Sequence, residues 1–223
     1  MKQLINFLGV ILVIFAASCQ HIDDLLEHGG DPKEEHDEAF KTDAIEPVHM
    51  FLVDKDGNEP TDPSAPVYES RKMNPVLTPN GHHVTLGEFD GVKGKLKLMC
   101  TEEGTQVKLK LEGLIPFGLY SVWVLVFEEP GFTPDFAHEI AEGVPGGNAG
   151  KYSSFVAGSD GTATYSEIVP KGNMSFFGNV GDCLLDEYEV HVVGAYHMDG
   201  QTYGGELGPD GKAVEQFAFV YQQ

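Results

Sequence analysis

Basic residues are scarce in this chain. Fourteen Lys and Arg stand against 35 Asp and Glu in 223 residues, a formal net charge of −21 at pH 7. That deficit excludes nucleic acid as a partner, because a phosphate backbone is held by clustered Lys and Arg. An acidic surface of this kind confers solubility and repels anionic surfaces. Cysteine is scarce as well, with three residues. Neither Cys100 nor Cys183 has a Cys or His at short ligand spacing, which excludes the common structural zinc patterns. The sequence contains no Gly-x-Ser-x-Gly elbow and no His-Glu-x-x-His, so two recognisable routes to hydrolysis are missing. The apolar run over residues 4–16 is too short to span a membrane.

That run has another use. Lys2 is a short positive region, Leu4 to Ala16 is apolar, and the small residues Ala17 and Ser18 precede Cys19, the layout of a secretory signal. The small-small-Cys ending resembles the lipobox of bacterial lipoproteins, although Ala16 stands where that family usually has Leu. The resemblance implies cleavage before Cys19, acylation of Cys19, and attachment to the bacterial cell envelope, in the outer membrane and facing the surface. More than one acyl chain gives lasting attachment. Residues 1–18 are then a signal peptide. Residues 19–47 follow as a flexible tether, with ten acids against two lysines over residues 20–47 and too little apolar area to offset ordering entropy. Asp23 and Asp24 resemble the acidic export signal of surface lipoproteins.

From Val48 to residue 223 short apolar-alternating runs are separated by Gly, Pro, Asn and Asp, the pattern of an all-β domain. Val107, Leu109 and Leu111 share one face of a strand, and Lys95-Leu96-Lys97-Leu98 alternates in the same way. Residues 119–127, LYSVWVLVF, are apolar on both faces and read as a central strand. Further strands are expected near 48–54, 82–89, 151–157, 161–168, 187–198 and 213–221. One short helix is expected, with Thr133 as N-cap, Pro134 in the first turn, Phe136 and Ile140 inward and Gly143 as stop. About nine short strands predict a β-sandwich. Cys100 and Cys183 are compatible with one disulfide in an exported chain, or with two buried thiols.

Two motifs carry a family resemblance. GLIPFGLYSVW and YHMDGQTYGG, within residues 95–221, resemble a group of secreted bacterial proteins with a Gly-Leu-x-Pro-x-Gly-x-Tyr-x-x-Trp motif before a Tyr-His-x-Asp-Gly-x-Thr-x-Gly motif. The resemblance implies a shared fold and no particular activity. The resembling segments extend upstream of these motifs to include Cys100 and Cys183, which favours their pairing.

The candidate site lies in EVHVVGAYHMDGQTYGG, residues 189–205. Side chains on a strand alternate, so Val190, Val192, Gly194, Tyr196 and Met198 face the core while Glu189, His191, Val193, Ala195, His197 and Asp199 face out. The expectation for that outer face is exposure, with His197 bonded to an Asp199-Gly200 turn. His191 and His197 lie about 20 Å apart on a straight strand, too far to share a metal unless the strand bends at Gly194. A divalent metal, zinc or copper in class, would need one of two nearer pairs, Glu189 with His191 or His197 with Asp199, and a third ligand such as His82, His83 or His138. Asp54, Asp56 and Asn58 alternate as calcium ligands do, but Gly57 and Ala65 break the EF-hand pattern and a polar turn is expected. Phe117, Phe132, Tyr152, Phe176, Phe177 and Tyr203 would suit ligand contacts, with burial between sheets as the simpler expectation. The functional expectation is a non-enzymatic domain binding a ligand, glycan or protein, with no cofactor and with the membrane reached through a lipid anchor. The alternative is an envelope metalloprotein or metal-dependent enzyme using His191, His197 and Asp199.

Overall fold

A computed structural model describes residues 39–129, 138–147, 152–203 and 208–223. The signal peptide and most of the tether, Phe132, and the start of the expected helix at Thr133, Pro134 and Phe136 lie outside the described residues.

The first part of the chain forms β1 (Ala39–Thr42), β2 (Glu46–Pro47), β3 (Leu52–Val53), β4 (Tyr68–Glu69), β5 (Asn74–Pro75) and a helix α1 (Leu86–Phe89). The long strands β6 (Lys93–Thr101), β7 (Gly104–Glu112) and β8 (Leu119–Phe127) follow, then β9 (Glu139–Gly143), β10 (Ser154–Val156) and β11 (Ala163–Pro170). Then come β12 (Gly172–Asn173), β13 (Asn179–Val180), a 3-10 turn (Leu184–Asp186), β14 (Glu189–His197) and β15 (Ala213–Gln222). Six of these fifteen strands have only two residues, leaving nine longer ones among the described residues.

Two sheets make an all-β sandwich. One has the order β1-β6-β7-β11; the other runs β10-β8-β14-β15-β2, with β9 also on β8. Every pairing in both is antiparallel. Their inner faces share one core. Leu96, Leu98, Val107, Leu109 and Leu111 of one sheet belong to the same buried cluster as Val122, Val124, Val126, Val190, Val192, Phe217 and Phe219 of the other. Period-two alternation delivers these residues to one side of each strand, and their burial is the main stabilising term.

Three expectations change. Residues 39–47, assigned to the tether, form strands in the two sheets, because Phe40 and Ile45 pack against the core and Phe40 meets Tyr221 edge-on at 4.8 Å. The strand expected at 82–89 gives way to helix α1. Its capping box joins Thr85 and Glu88: Glu88 N donates to Thr85 Oγ1 at 3.3 Å and Thr85 N donates to Glu88 Oε2 at 2.8 Å, satisfying amides that a helix start leaves open. Ile140 and Gly143, expected in a helix, belong to strand β9, where Glu139, Ala141, Glu142 and Gly143 register with the edge of β8.

Cys100 and Cys183 form a disulfide that ties β6 to the 3-10 turn across 83 residues. Thr105 secures the same turn, its Oγ1 accepting from Leu184 N at 2.7 Å.

Candidate functional site

The two sequence motifs lie 76 residues apart at Ser121 and His197, and the sheet register places them side by side. On β8 and β14, Tyr120 stands opposite Tyr196, Ser121 opposite Ala195 and Leu119 opposite His197. Alternation turns Tyr120 and Tyr196 inward and sends Ser121, Trp123 and His197 to the outer face. There Ser121 Oγ and His197 Nε2 share a hydrogen bond of 2.8 Å. The Trp123 and Tyr203 rings each lie 6.3 Å from the imidazole. Asp199 holds the following turn. Its Oδ1 accepts from Gln201 N at 3.1 Å and its Oδ2 accepts from the Tyr203 hydroxyl. Gly200 sits at φ +68°, in the left-handed region a tight turn requires. The Asp199-Gly200 turn is therefore present; the expected bond from it to the His197 ring is replaced by the one to Ser121.

The outer face is buried, not wet. All nine residues of β14 are buried. The strand is flanked by β8 and β15, and Trp123, Leu125, Phe127, Val144, Val193, Ala195 and Ala218 form a second apolar cluster with Val48 packed on it. The acids and histidines on this face therefore sit in a low-dielectric layer. His191 donates from Nε2 to Glu189 Oε1 at 2.6 Å, beneath the Phe127 ring at 4.8 Å. Burial pushes the His197 imidazole down, an effect the Asp199 charge opposes. Among the described residues His197 Nδ1 and Glu139 Oε1 are buried with no hydrogen-bond partner. Burial raises Glu139 to about 7, with the Glu142 charge adding to it. Glu142 is also raised by burial. Glu215 rises to about 7 through burial, with Arg71 opposing and Glu142 reinforcing.

Of the residues considered as metal ligands, Glu189 and His191 meet each other, but among the described residues no third ligand joins either pair. β14 stays in continuous register with β8 on both sides of Gly194. The irregularity lies across from it, where Gln216 is an extra residue of β15 between the partners of Gly194 and Ala195. The other histidines are occupied elsewhere: His82 with Glu88 at 3.0 Å, His83 with Val67 O at 2.9 Å and His138 with Glu129 at 3.6 Å. Among the described residues no group of three or more His, Cys, Asp or Glu side chains converges as metal ligands. In the Asp54 segment, Asp54 Oδ1 accepts from the amides of Asp56 and Asn58 at 2.8 and 2.9 Å, the polar turn expected there. Phe117, Tyr152, Phe176 and Phe177 are exposed, contrary to the expected burial, and Tyr203 is half-buried.

A second feature was missed in the sequence. On the outer face of the four-stranded sheet Lys41, Lys97 and Lys108 stand in one cross-strand row, and Lys95 faces Lys110 in the next. All are exposed except Lys97, half-buried at the centre. None of the five is in an ion pair with another described residue. They line one shallow surface depression with Thr42, Asp43 and Leu96. Like charges placed directly opposite destabilise a sheet. The signal was available in the Lys-x-Lys alternation at 93–97 and 108–110, but only pairing of β1, β6 and β7 makes it a patch.

No family model, curated protein or solved structure matches the chain.

Proposed function

We propose that the chain is a lipoprotein of the bacterial cell envelope, acylated at Cys19, whose β-sandwich is a non-enzymatic binding module for an anionic partner. The observation that carries this reading is the lysine face: five cations held side by side in a chain of net charge −21. Solubility does not call for them, since acids are already in excess. The motif residues support a binding role over a catalytic one. Ser121 is bonded to His197 and Asp199 to Tyr203, and His191 is bonded to Glu189. A catalytic acid or base must come within hydrogen-bond reach of its substrate, and Ser121 and His197 are both buried. The lipobox resemblance at Cys19 supports the envelope location.

Mass measurement of the mature protein tests acylation of Cys19; an unmodified N-terminus would defeat it. For binding, the mature chain carrying Cys19→Ser is incubated with a washed envelope fraction. Salt-sensitive retention, lost in Lys97→Glu with Lys108→Glu, is the expected outcome. Retention that ignores those lysines would sink the reading.

One observation favours a second reading. His197 Nδ1 is buried with no hydrogen-bond partner among the described residues, and a neutral imidazole nitrogen is a common metal ligand. Elemental analysis decides: stoichiometric zinc or copper, lost in His197→Ala, would establish an envelope metalloprotein, and a folded metal-free protein would remove it.

A further inference from the structure

We infer that the anionic partner is the lipid headgroup surface to which the chain is anchored, and that the outer face of the four-stranded sheet lies against it. This inference rests on the function proposed above. Neighbouring strands are about 4.8 Å apart and residues two apart on a strand about 7 Å apart. The five lysines thus form a nearly planar array on a sheet surface. A leaflet offers its phosphates in a plane too, and an ammonium on a flexible four-carbon stem meets a phosphate from many angles.

The connectivity favours the same surface. Lys41 belongs to β1, the edge strand of this sheet. Nineteen residues, 20–38, separate Cys19 from Ala39, and a fully extended chain reaches at most about 3.6 Å per residue, so the sheet can meet the leaflet in which Cys19 is held. Anchoring raises the local concentration of headgroups, and modest attraction per lysine then suffices. An acyl anchor joined to a basic patch is a recognised pair of attachment signals. Charge also sets the orientation. Apart from these five lysines the chain has nine basic residues against 35 acids, so its remaining surface is repelled by an anionic leaflet within a Debye length. Lysine face down, the sheet carrying Trp123 and His197 points away from the membrane.

The test uses the mature chain, residues 19–223 with Cys19→Ser, so that no acyl chain contributes. It is sedimented with vesicles of equal parts phosphatidylglycerol and phosphatidylcholine, and with phosphatidylcholine alone. Binding is expected only to the anionic vesicles, weakening as salt rises. Lys97→Glu with Lys108→Glu should lower the affinity by about tenfold or more, with a cooperative unfolding transition near the parent's showing that the variant is folded. Lys55→Glu, at an exposed lysine already paired with Asp56 at 2.6 Å, should not change it. Equal binding to both vesicle types, or equal binding by the double variant, overturns the inference. Lysine-dependent binding to polygalacturonate without vesicle binding overturns the lipid assignment and leaves the anionic-partner reading standing. Behaviour independent of the lysines toward both overturns both.

Discussion

His197 keeps one ring nitrogen in a bond to Ser121 and buries the other with no partner among the described residues. Whichever tautomer is present, that second nitrogen is a desolvated donor or acceptor, and such groups are expensive inside a protein. Removing its neighbour compounds the problem. Ser121→Ala leaves Nε2 unpaired as well, and is expected to destabilise by roughly 1–3 kcal/mol in urea unfolding. A loss near zero would mean the bond contributes nothing. Gly194 matters for a steric reason. A Cβ placed there would come within 2.1 Å of the Phe217 ring, so Gly194→Ala must displace that ring or the strand. Overpacking of this kind typically costs about 1–3 kcal/mol, measurable as a lower urea midpoint with an unchanged slope.

Among the strands, β6 and β7 combine two opposed features. Their inward residues Leu96, Leu98, Val107, Leu109 and Leu111 are fully committed to the core, while their outward residues repeat lysine against lysine. The repulsion should be measurable: Lys97→Thr, which removes the central charge and adds a good strand former, is expected to stabilise the fold by a few tenths of a kcal/mol. That gain should be larger at low salt, because screening weakens the repulsion it relieves. A loss of stability instead would show that Lys97 contributes through its half-buried stem. The disulfide acts on another link of the same sheet, closing 83 residues between β6 and the 3-10 turn. Cys100→Ala with Cys183→Ala is expected to lower stability by roughly 2–5 kcal/mol, read from denaturant unfolding.

At the scale of the whole molecule, the half-buried acids of the six-stranded sheet make stability depend on pH. Glu139 and Glu215 are each raised to about 7 and Glu142 is raised in the same direction. A carboxyl that binds its proton more tightly when folded contributes stability fully below its unfolded value, near 4.5, and loses it as pH rises through 7. His197 works from the other side. Its imidazole is lowered in the fold, so stability falls as pH drops below its ordinary value of 6.5, where the unfolded chain takes up a proton first. Between about pH 4.5 and 6.5 the raised carboxyls outnumber the single lowered imidazole, so the expected profile is highest near pH 4.5 and declines toward pH 8. A thermal-unfolding series checks it. Glu139→Gln with Glu215→Gln should flatten the alkaline decline; a profile flat from pH 5 to 8 in the parent chain would refute the assignment.

Alternation in the sequence was enough to read an all-β sandwich, the central strand at 119–127 and the inward set on β14, because period two is a local property of a strand. Two cysteines in an exported chain left pairing and free thiols both open, with the motif resemblance favouring pairing; spatial proximity decided for the bridge. Alternation also separated the two faces of β14 correctly, but it assigned the polar one to solvent. That error has a physical cause: a residue's own type says which face it prefers, not what a distant segment lays over that face. Val48, Val144 and Trp123 come from other parts of the chain and join Val193 and Ala195 only in the folded sheet, where Trp123 also meets His197 and Phe127 meets His191. The meeting of the two motifs at Ser121 and His197 is of the same kind, as is the lysine array, which exists only because β1, β6 and β7 pair in that register. Sequence by itself determined the strands, their inward residues and the acidic balance of the chain. Tertiary structure decided burial, partners and clustering, since these depend on pairings between residues that local periodicity does not connect.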